Sequence, residues 1–485
     1  MTPATVRGSG FMSPSRAMFL SLALCFLCLR FLCHAAGAQQ NAPSKTIALR
    51  ASRMLDVNSG SMVRDPVILI QVDKITSAGS SVKVPAEAEV VDLGDATLLP
   101  GLIDCHTHLM ARMSDDPQGY GLTLLTKSQA FRALEGAADA RVTLHAGFTA
   151  VRDVESEGSG YADVALRDAI NQGLVEGPRM QVATRGIAAV GKYFPFDISP
   201  DLVDFPTGAQ MISGAEEARR AAREQIGHGA NLLKVYADWG APTLTIDEIR
   251  PIVEEAHKSQ LKVAAHADSP EGIRNALTAG VDSIEHGHQA DRSSFELMKQ
   301  KNAFWVPTKG HYFYAVDTAK SPQPRKHMEE TLQRARQNIS TARELGVKIA
   351  NGFDPASAGE HGKNAHEIIA MSKLGLSPLE ANPRSDDECS RIDGMAGQDR
   401  INRDRKICRY HRCFGKSDCR HGRTRARQVR DERRSGCEKR VCPPLDCYRM
   451  TASARMDNLV FLRVGVLCPR THRPAAFWFA VACKE

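Results

Sequence analysis

The middle of this chain is almost without cysteine. Of the 13 cysteines, Cys25, Cys28 and Cys33 lie near the N-terminus, nine follow Glu388, and Cys105 stands alone between the two groups. A fold held together by disulfides is therefore excluded for the middle region. Hydrophobic runs long enough to cross a bilayer are also lacking after residue 38, so the sequence predicts no transmembrane helix there.

Residues 1–38 have the features of a signal peptide. Arg7 and Arg16 precede an apolar run at 17–29, and Ala36-Gly37-Ala38 matches a small-x-small cleavage site. Permanent anchoring is the alternative, but the run is short for a membrane span and Arg30 interrupts it. The sequence predicts cleavage after residue 38 and an exported protein, periplasmic or secreted, with no stable membrane anchor.

The formal net charge of +7 is unevenly distributed. Residues 382–485 hold the whole excess of Lys and Arg, whereas residues 1–381 are slightly acidic. The body of the chain therefore gives no reason to expect a nucleic-acid partner. At 485 residues, with 42% hydrophobic and 25% charged residues, the chain has room for one large globular domain and a smaller one.

The stretch Thr97–Met110, TLLPGLIDCHTHLM, carries the strongest chemical signal. An apolar run, a Pro-Gly break and alternating residues predict a short buried strand with His106 and His108 on one face. Two imidazoles on one side of a strand end can bind one metal ion. An isolated His-x-His pair is more often an ordinary turn, so this interpretation depends on further ligands elsewhere in the chain.

Strand-like and helical segments alternate after this motif. The alternation predicts an α/β fold, a (β/α)8 barrel whose chemistry gathers at the C-terminal ends of the strands. A doubly wound open sheet is the alternative, but no glycine-rich phosphate turn follows the first strand. The strand-like runs are 147–153, 180–186, 231–238, 262–268, 281–287, 303–308 and 347–354, and the helical segments are 122–145, 161–172, 214–226, 245–260, 270–279 and 322–345.

Metal-binding residue types recur at these strand ends. Lys234, His266, His286 and Asp354 lie in the strings K-V-Y-A-D, A-H-A-D, S-I-E-H-G and G-x-D. Taken singly, a lysine is usually solvated and a histidine is usually packed or at the surface. Together with P-G-L-I-D-x-H-x-H, however, these strings resemble the metal-binding strands of the amidohydrolase superfamily in the right order.

The resemblance implies a centre of two divalent metal ions, and the residue types suit Zn²⁺. Each ion would have two histidine ligands, and a lysine carboxylated by carbon dioxide would bridge the ions. The implied ligands are His106 and His108 for the more buried ion, His266 and His286 for the more exposed ion, Lys234 for the bridge, and Asp354 to complete the first site.

The resemblance also implies that Asp354 acts as the catalytic base. In the superfamily a small residue usually precedes this aspartate, whereas Phe353 stands there in this chain. The bulky side chain is expected to reshape the pocket or to mark a divergent substrate.

Within the superfamily, residues 45–381 most resemble the imidazolonepropionase-like branch, which includes Xaa-Pro and Xaa-Arg/Lys dipeptidases. EGPRMQVATRG (176–186) and GANLLKVYADW (229–239) support this placement. The branch implies that Tyr236 contacts the scissile carbonyl or the substrate carboxylate, with packing in the barrel as the alternative. The predicted loop residues that would set specificity, unless they are merely solvated, are Lys192, Tyr193 and His361.

Residues 39–99 contain short β-branched runs separated by Gly, Ser, Asn and Asp, which predict strands and hairpins. In the superfamily such strands join C-terminal strands in a small β-sandwich beside the barrel. The predicted organisation is therefore a signal peptide at 1–38, sandwich strands at 39–99, the barrel at 100–381 and a separate tail at 382–485.

The chain changes character after Ala381. Apolar periodicity stops, Arg and Cys accumulate, and no sandwich strand is recognisable. The cysteine spacings between 408 and 442 contain no Cys-x-x-Cys and the basic run has no interleaved aromatics, so a metal or nucleic-acid module is disfavoured. When the tail is translated back into freely chosen synonymous codons and read one base forward, it permits the string GSIEIGKYAD. This string looks like the family's C-terminal segment. The sequence therefore predicts an out-of-frame, disordered tail.

These expectations define a metal-dependent hydrolase that cleaves an amide C–N bond next to a free carboxylate, in a dipeptide or an N-acyl amino acid. The second interpretation keeps the site and changes the substrate to a cyclic amide or an imidazolone-like ring. The third is an inactive, frameshifted copy that survives as a binding protein or not at all. A homo-oligomer is one option for the assembly, and the sequence leaves it open.

Overall fold

The computed structural model describes most of the chain between residues 46 and 381. The predicted signal peptide lies outside the described residues. Among the described helices, none combines the length and the hydropathy that crossing a bilayer requires. The described ranges are 46–57, 59–71, 74–113, 117–193, 206–313, 322–357 and 359–381, together with the backbone of four strands after residue 409.

Seven short strands at the N-terminal end form a small β-sandwich. In one sheet the first strand lies between the fourth and the sixth, and in the other the second lies between the third and the seventh. Apolar side chains of both sheets, including Ile47, Ile68, Met54 and Leu98, pack into one buried cluster. Strands this short are stable only with such a shared apolar face, and the predicted sandwich is confirmed. The strands are β1 (Thr46–Arg50), β2 (Arg53–Asp56), β3 (Ser61–Arg64), β4 (Val67–Gln71), β5 (Lys74–Gly79), β6 (Glu89–Asp92) and β7 (Ala96–Pro100).

Eight parallel strands then form the predicted barrel, which is confirmed. The barrel strands are β8 (Leu102–Thr107), β9 (Phe148–Asp153), β10 (Arg179–Val182), β13 (Leu232–Tyr236), β14 (Lys262–Ala267), β15 (Ser283–His286), β16 (Phe304–Val306) and β17 (Lys348–Ile349). Two more strands, β11 (Gly186–Ala189) and β12 (Ala209–Ile212), extend the sheet beside β13. Cys105 N donates to Asn351 O at 2.8 Å and Asn231 N donates to Val182 O at 2.8 Å. These two bonds join the three-stranded and seven-stranded sheets into a ring.

Helices follow the barrel strands and cover their outer face. Several begin at side-chain caps, such as the Thr245 and Glu248 capping box and Ser269, whose hydroxyl accepts from Gly272 N. The helices are α1 (Pro117–Thr126), α2 (Gln129–His145), α3 (Ala162–Asn171), α4 (Ala215–Gly227), α5 (Ile246–Lys258), α6 (Pro270–Ala279), α7 (Arg292–Lys301), α8 (Pro322–Leu345), α9 (Ala365–Leu374) and α10 (Pro378–Ala381).

Two predicted elements are divided in the structure. The predicted helix at 122–145 is two helices, because the Ser128 hydroxyl accepts from Phe131 N at 3.2 Å and starts a new helix there. The predicted strand at 180–186 is interrupted at Thr184, which has a left-handed backbone with φ 62°. Asp163 accepts from Thr184 N at 2.8 Å, and Gln225 accepts from its hydroxyl at 2.9 Å. At Thr184, side chains therefore provide hydrogen bonds in place of those that a neighbouring strand would form.

Strands are also present after residue 409. They are β18 (Tyr410–Phe414), β19 (Ala452–Met456), β20 (Leu459–Leu467) and β21 (Pro474–Ala482). β18 pairs antiparallel with β7, and the disordered tail without C-terminal sandwich strands stays a prediction. An unpaired edge such as that of β7 attracts an extended segment, and β20 and β21 are rich in β-branched and aromatic residues. The shifted reading frame stays a prediction.

Candidate active site

The predicted site residues lie at the C-terminal ends of the barrel strands, where a (β/α)8 barrel gathers its chemistry. Their side chains are nearly inaccessible, except for that of Asp354, which is 20% exposed. They are His106 in β8, His108 just after β8, Lys234 in β13, His266 in β14, His286 at the end of β15 and Asp354 beyond β17.

His106 and His108 turn their Nε2 atoms towards each other and towards Asp354. The two Nε2 atoms are 3.2 Å apart. Asp354 Oδ1 lies 3.7 Å from that of His106 and 3.4 Å from that of His108. The Nδ1 atom of each ring lies 2.8 Å from a carboxylate, Glu285 for His106 and Glu157 for His108. The contact of His106 with Glu285 is a hydrogen bond, whereas that of His108 with Glu157 is a close ion pair without hydrogen-bond geometry. A carboxylate beside Nδ1 favours the proton on that nitrogen and leaves Nε2 with a free lone pair, the usual orientation of a metal-binding histidine.

His286 joins this group from β15. Its ring centroid is 4.8 Å from that of His106, and its Nδ1 is 3.8 Å from Asp354 Oδ2. Thr308 Oγ1 lies 2.7 Å from the same Nδ1 and donates its own proton to Pro307 O, so we assign the Nδ1 proton to His286. Ligand atoms of His106, His286 and Asp354 all lie within 4.8 Å of one another, which makes these three residues a candidate metal-binding group.

His266 lies beside His286 but groups with two carboxylates. The two ring centroids are 4.6 Å apart. Its Nε2 has no hydrogen-bond partner among the described residues and lies 3.7 Å from Asp268 Oδ2. His266, Asp238 and Asp268 form a second candidate group, which the sequence analysis did not single out. Asp238, however, already accepts from Asp268 N and Ser269 N, each at 2.8 Å, so its first role is to shape this turn.

Lys234 is buried close to the histidines. Its side chain is 1% exposed, and its Nζ lies 5.3 Å from the centroid of the Tyr236 ring. Burial lowers the pKa of the Lys234 ammonium, and the nearby carboxylates Glu285 and Asp354 only partly oppose that effect. Burial and the charge of Lys234 together lower the pKa of His106. A lowered pKa increases the neutral amine fraction, which is the form that attacks carbon dioxide.

An ion pair between Glu285 and Arg152, which the sequence analysis missed, supports His106. Glu285 Oε1 lies 2.7 Å from Arg152 Nη2 and accepts from Ser283 Oγ at 2.5 Å. Burial raises the pKa of Glu285, but Arg152 and His106 outweigh it and hold the pKa well below its usual range. In a regular strand the side chains of Glu285 and His286 would point to opposite faces. Both lie against His106 here, because His286 has a left-handed backbone with φ 68°.

Glu157 has the corresponding role for His108. Its second carboxylate oxygen accepts from the Tyr120 hydroxyl. Burial lowers the pKa of His108, but Glu157 outweighs that effect and raises it to about 9. Metal binding requires an unprotonated nitrogen, so a cation bound at His108 displaces a proton.

Asp104, the aspartate of P-G-L-I-D, joins the two segments that carry His106 and Asp354. Its Oδ1 accepts from His106 N at 3.0 Å and from Phe353 N at 3.1 Å, and its Oδ2 accepts from Asn364 Nδ2 at 2.7 Å. Burial raises the pKa of this carboxyl group to about 7, although the three donors oppose the shift. The Asp104 side chain therefore holds the first barrel strand, β8, against the segment that follows the last barrel strand, β17.

We expect Asp104→Ala to lower the free energy of unfolding by about 1–3 kcal/mol, because buried donors lose their acceptor. Urea unfolding of the metal-free protein measures this loss. Asp95→Ala is the matched control, since the Asp95 side chain is 66% exposed and only pairs with Arg53. Equal stability of Asp104→Ala and wild type would contradict the joining role.

Tyr236 lies beside Lys234, but its hydroxyl is engaged. It donates to Glu155, whose other oxygen accepts from Tyr193. Burial and Glu155 raise the pKa of Tyr236, so the hydroxyl keeps its proton. The ring stacks on Trp239 with centroids 5.1 Å apart, and the Trp239 ring lies 4.4 Å from that of His266. We call Tyr193, Tyr236 and Trp239 the aromatic wall of the site.

The remaining predicted residues are less central. Lys192 is exposed, and His361 is buried with Nε2 3.5 Å from Asp139 Oδ2. Phe353 is completely buried, and a side chain at Gly310 would lie 2.6 Å from its ring. The Phe353 ring therefore fills interior space next to a glycine and does not reach an open pocket.

Comparisons with known proteins agree with this geometry. A family profile described as "Amidohydrolase family" matches residues 97–389, more than half of the chain. Ochratoxinase from Aspergillus niger is 29% identical over 366 residues, covering 68% of this chain and 72% of that protein. Imidazolonepropionase from Streptomyces coelicolor is 25% identical over 248 residues, covering 46% of this chain and 58% of that protein.

A solved structure gives the same result. An Xaa-Pro dipeptidase with bound methionine superposes with a TM-score of 0.65 at 28% identity, covering 73% of this chain and 90% of that chain. The family match spans the strand ends that carry His106, Lys234, His266, His286 and Asp354. The chain therefore belongs to the amidohydrolase family and is a metal-dependent hydrolase.

Proposed function

We propose that this hydrolase cleaves an amide C–N bond next to a free carboxylate, in a dipeptide or an N-acyl amino acid. The observation that carries the proposal is the convergence of buried imidazoles and Asp354 beside the aromatic wall. The name of one similar structure, an Xaa-Pro dipeptidase, describes a dipeptide substrate and supports this substrate class.

We further propose a centre of two divalent ions, with zinc as the metal. The donor set suits such ions, because three imidazoles have a nitrogen oriented by a carboxylate or a hydroxyl and His266 Nε2 has no partner among the described residues. When bound, the ions supply an activated water and polarise the substrate carbonyl. The proposed ligands are His106, His108 and Asp354 for one ion, His266 and His286 for the other, and carboxylated Lys234 between them.

Asp354 is placed to move the proton. A positioned carboxylate can accept a proton and donate it again, and burial raises the pKa of the Asp354 carboxyl group to about 6 before any cation binds. It takes the proton of the attacking water and returns it to the departing nitrogen. Tyr236 keeps its proton and, on turning from Glu155, donates to the carbonyl oxygen as negative charge develops there.

A cyclic amide or an imidazolone-like ring is the second candidate substrate. The similarity to imidazolonepropionase favours it. The same active-site residues would act on such a ring, because ring opening also breaks an amide C–N bond.

A substrate panel separates the two candidates. We expect the zinc-loaded protein to hydrolyse dipeptides or N-acyl amino acids, and to turn over their C-terminal amides with kcat/KM lower by about tenfold or more, because buried donors lose their charged partner. Cyclic amides in the same assay test the alternative. Equal turnover of free acids and amides, or hydrolysis of rings alone, would refute the first substrate class.

We also propose that the enzyme acts outside the cytoplasm. The proposal rests on the basic, apolar and small-residue features of residues 1–38.

A further inference from the structure

Lys309 is a buried cation that has no hydrogen-bond partner in the described part of the chain. Its side chain is 1% exposed, and its Nζ has no hydrogen-bond acceptor among the described residues. Buried ammonium groups are normally paired, because removing a charge from water is costly. Burial lowers the pKa of Lys309 to about 8, so the group remains largely charged at neutral pH. The Lys309 ammonium therefore lacks the anionic partner that a buried charge normally has.

Lys309 lies next to the candidate metal site. The residue before it, Thr308, has its hydroxyl 2.7 Å from Nδ1 of His286. Lys309 Nζ lies 5.8 Å from the centroid of the Tyr312 ring, which packs against His288 with centroids 5.4 Å apart. His288 in turn stacks on His286 at 5.7 Å. This series of contacts places the ammonium group beside the β15 and β16 ends of the site.

Two more buried nitrogens in the same place lack partners among the residues that the structure describes, Nε2 of His288 and Nδ1 of His311. Nδ1 of His288 is already 2.6 Å from Asp268 Oδ1, so its Nε2 is left for another group. The His311 ring lies 4.1 Å from that of Tyr312. Unpartnered buried polar atoms are uncommon, and several of them around one tyrosine indicate a subsite for a polar ligand.

The carboxylates near Lys309 are committed elsewhere. Asp268, Glu367 and Asp354 act on the charge of Lys309, but none forms an ion pair with it among the described residues. Asp268 bonds to His288, Glu367 accepts from Gly310 N, and Asp354 belongs to the candidate metal-binding group. An external carboxylate would therefore be the direct partner that the ammonium lacks.

We propose that Lys309 is the specificity-determining residue that binds the free carboxylate of the substrate. The inference rests on the proposed function and names the group that recognises the acid next to the cleaved bond. Charge-assisted hydrogen bonds are about twice as strong as neutral ones, so Lys309 selects an acid over its amide. Tyr236, at the end of β13, is then left to the carbonyl oxygen.

The test compares a free-acid substrate with its C-terminal amide. Wild type prefers the acid, and Lys309→Met lowers the ratio of the two kcat/KM values by about tenfold to a hundredfold, mainly by slowing the acid. Lys309→Gln, which keeps a polar group at the buried position, gives a second neutral variant if the methionine variant does not fold. Lys301→Met, an exposed lysine at the end of α7, keeps the wild-type ratio as the control.

A binding measurement separates the two proposals. Calorimetric titration of the zinc-loaded protein with phenylalanine, which has the free carboxylate but no N-acyl bond to cleave, and with phenylalaninamide reports carboxylate recognition without turnover. Weaker acid binding in the neutral variants, in a protein that hydrolyses no amide, would remove the proposed function and retain the subsite. A wild-type preference for acid in Lys309→Met or Lys309→Gln, in turnover and in titration, overturns the subsite and leaves the hydrolase standing.

Discussion

Lys234→Ala is expected to lose most of its hydrolytic activity, with kcat/KM reduced by about a hundredfold or more. A carboxylated Lys234 would hold the two cations, which when bound would contribute several kcal/mol of charge stabilisation to the transition state. Replacing the buried lysine with alanine removes the bridge and leaves space behind it. We therefore also expect the metal content to fall from about two ions per chain to about one. Steady-state kinetics and elemental analysis of the same samples measure both effects.

Lys262→Ala is the matched control for this experiment. Lys262 begins the neighbouring strand β14, and its side chain is 43% exposed and paired with Asp282. The control should keep both its ions and its activity, because surface ion pairs contribute little. Full activity in Lys234→Ala, or an unchanged metal content in it, would rule out the bridging role.

Asp354→Asn is expected to reduce kcat by about a hundredfold to ten-thousandfold, the usual contribution of a positioned acid and base. Asparagine retains an oxygen that can bind a cation but has no carboxylate to take up a proton. The variant should thus retain a larger share of its metal than of its kcat. Asp247→Asn is the control, because the Asp247 side chain is 86% exposed and lies on α5.

The Asp354 measurement distinguishes proton transfer from metal binding. A parallel loss of metal and kcat, with activity restored by excess zinc, would limit Asp354 to the role of ligand. An unchanged kcat would exclude both roles. Metal analysis at each zinc concentration is therefore part of the experiment.

The barrel and the positions of the candidate ligand residues could be read from the sequence because both depend on local patterns. Apolar runs that alternate with amphipathic segments specify parallel strands and covering helices. The C-terminal ends of such strands meet at one edge, so His106, Lys234 and Asp354 are brought together by topology alone. Short-range rules also explain why helix starts such as Ser269 and Asp291 follow the sequence closely.

The partners that hold these ligands could not be read in the same way. Glu285 meets Arg152 across 133 positions, and Asp104 meets Asn364 across 260. No periodicity links such pairs, because their encounter depends on how the barrel closes and which side chains remain in its interior. The proposed role of Lys309 could not be read for the same reason, because no sequence pattern shows which buried charge lacks a hydrogen-bond partner among the described residues.

Left-handed backbone recurs at or after the C-terminal ends of the barrel strands and has a consequence for engineering. Glu157, Thr184, His286, Thr308 and Asp354 have φ of 52°, 62°, 68°, 52° and 62°. Each such conformation is unfavourable for a residue with a side chain by about 1–3 kcal/mol, and glycine would relieve it. Selection for heat tolerance alone would therefore favour glycine at these positions. The resulting variants would gain thermal stability and lose hydrolytic activity. Thermostable variants of this hydrolase are better sought in its helices and its small sandwich, with these five positions held constant.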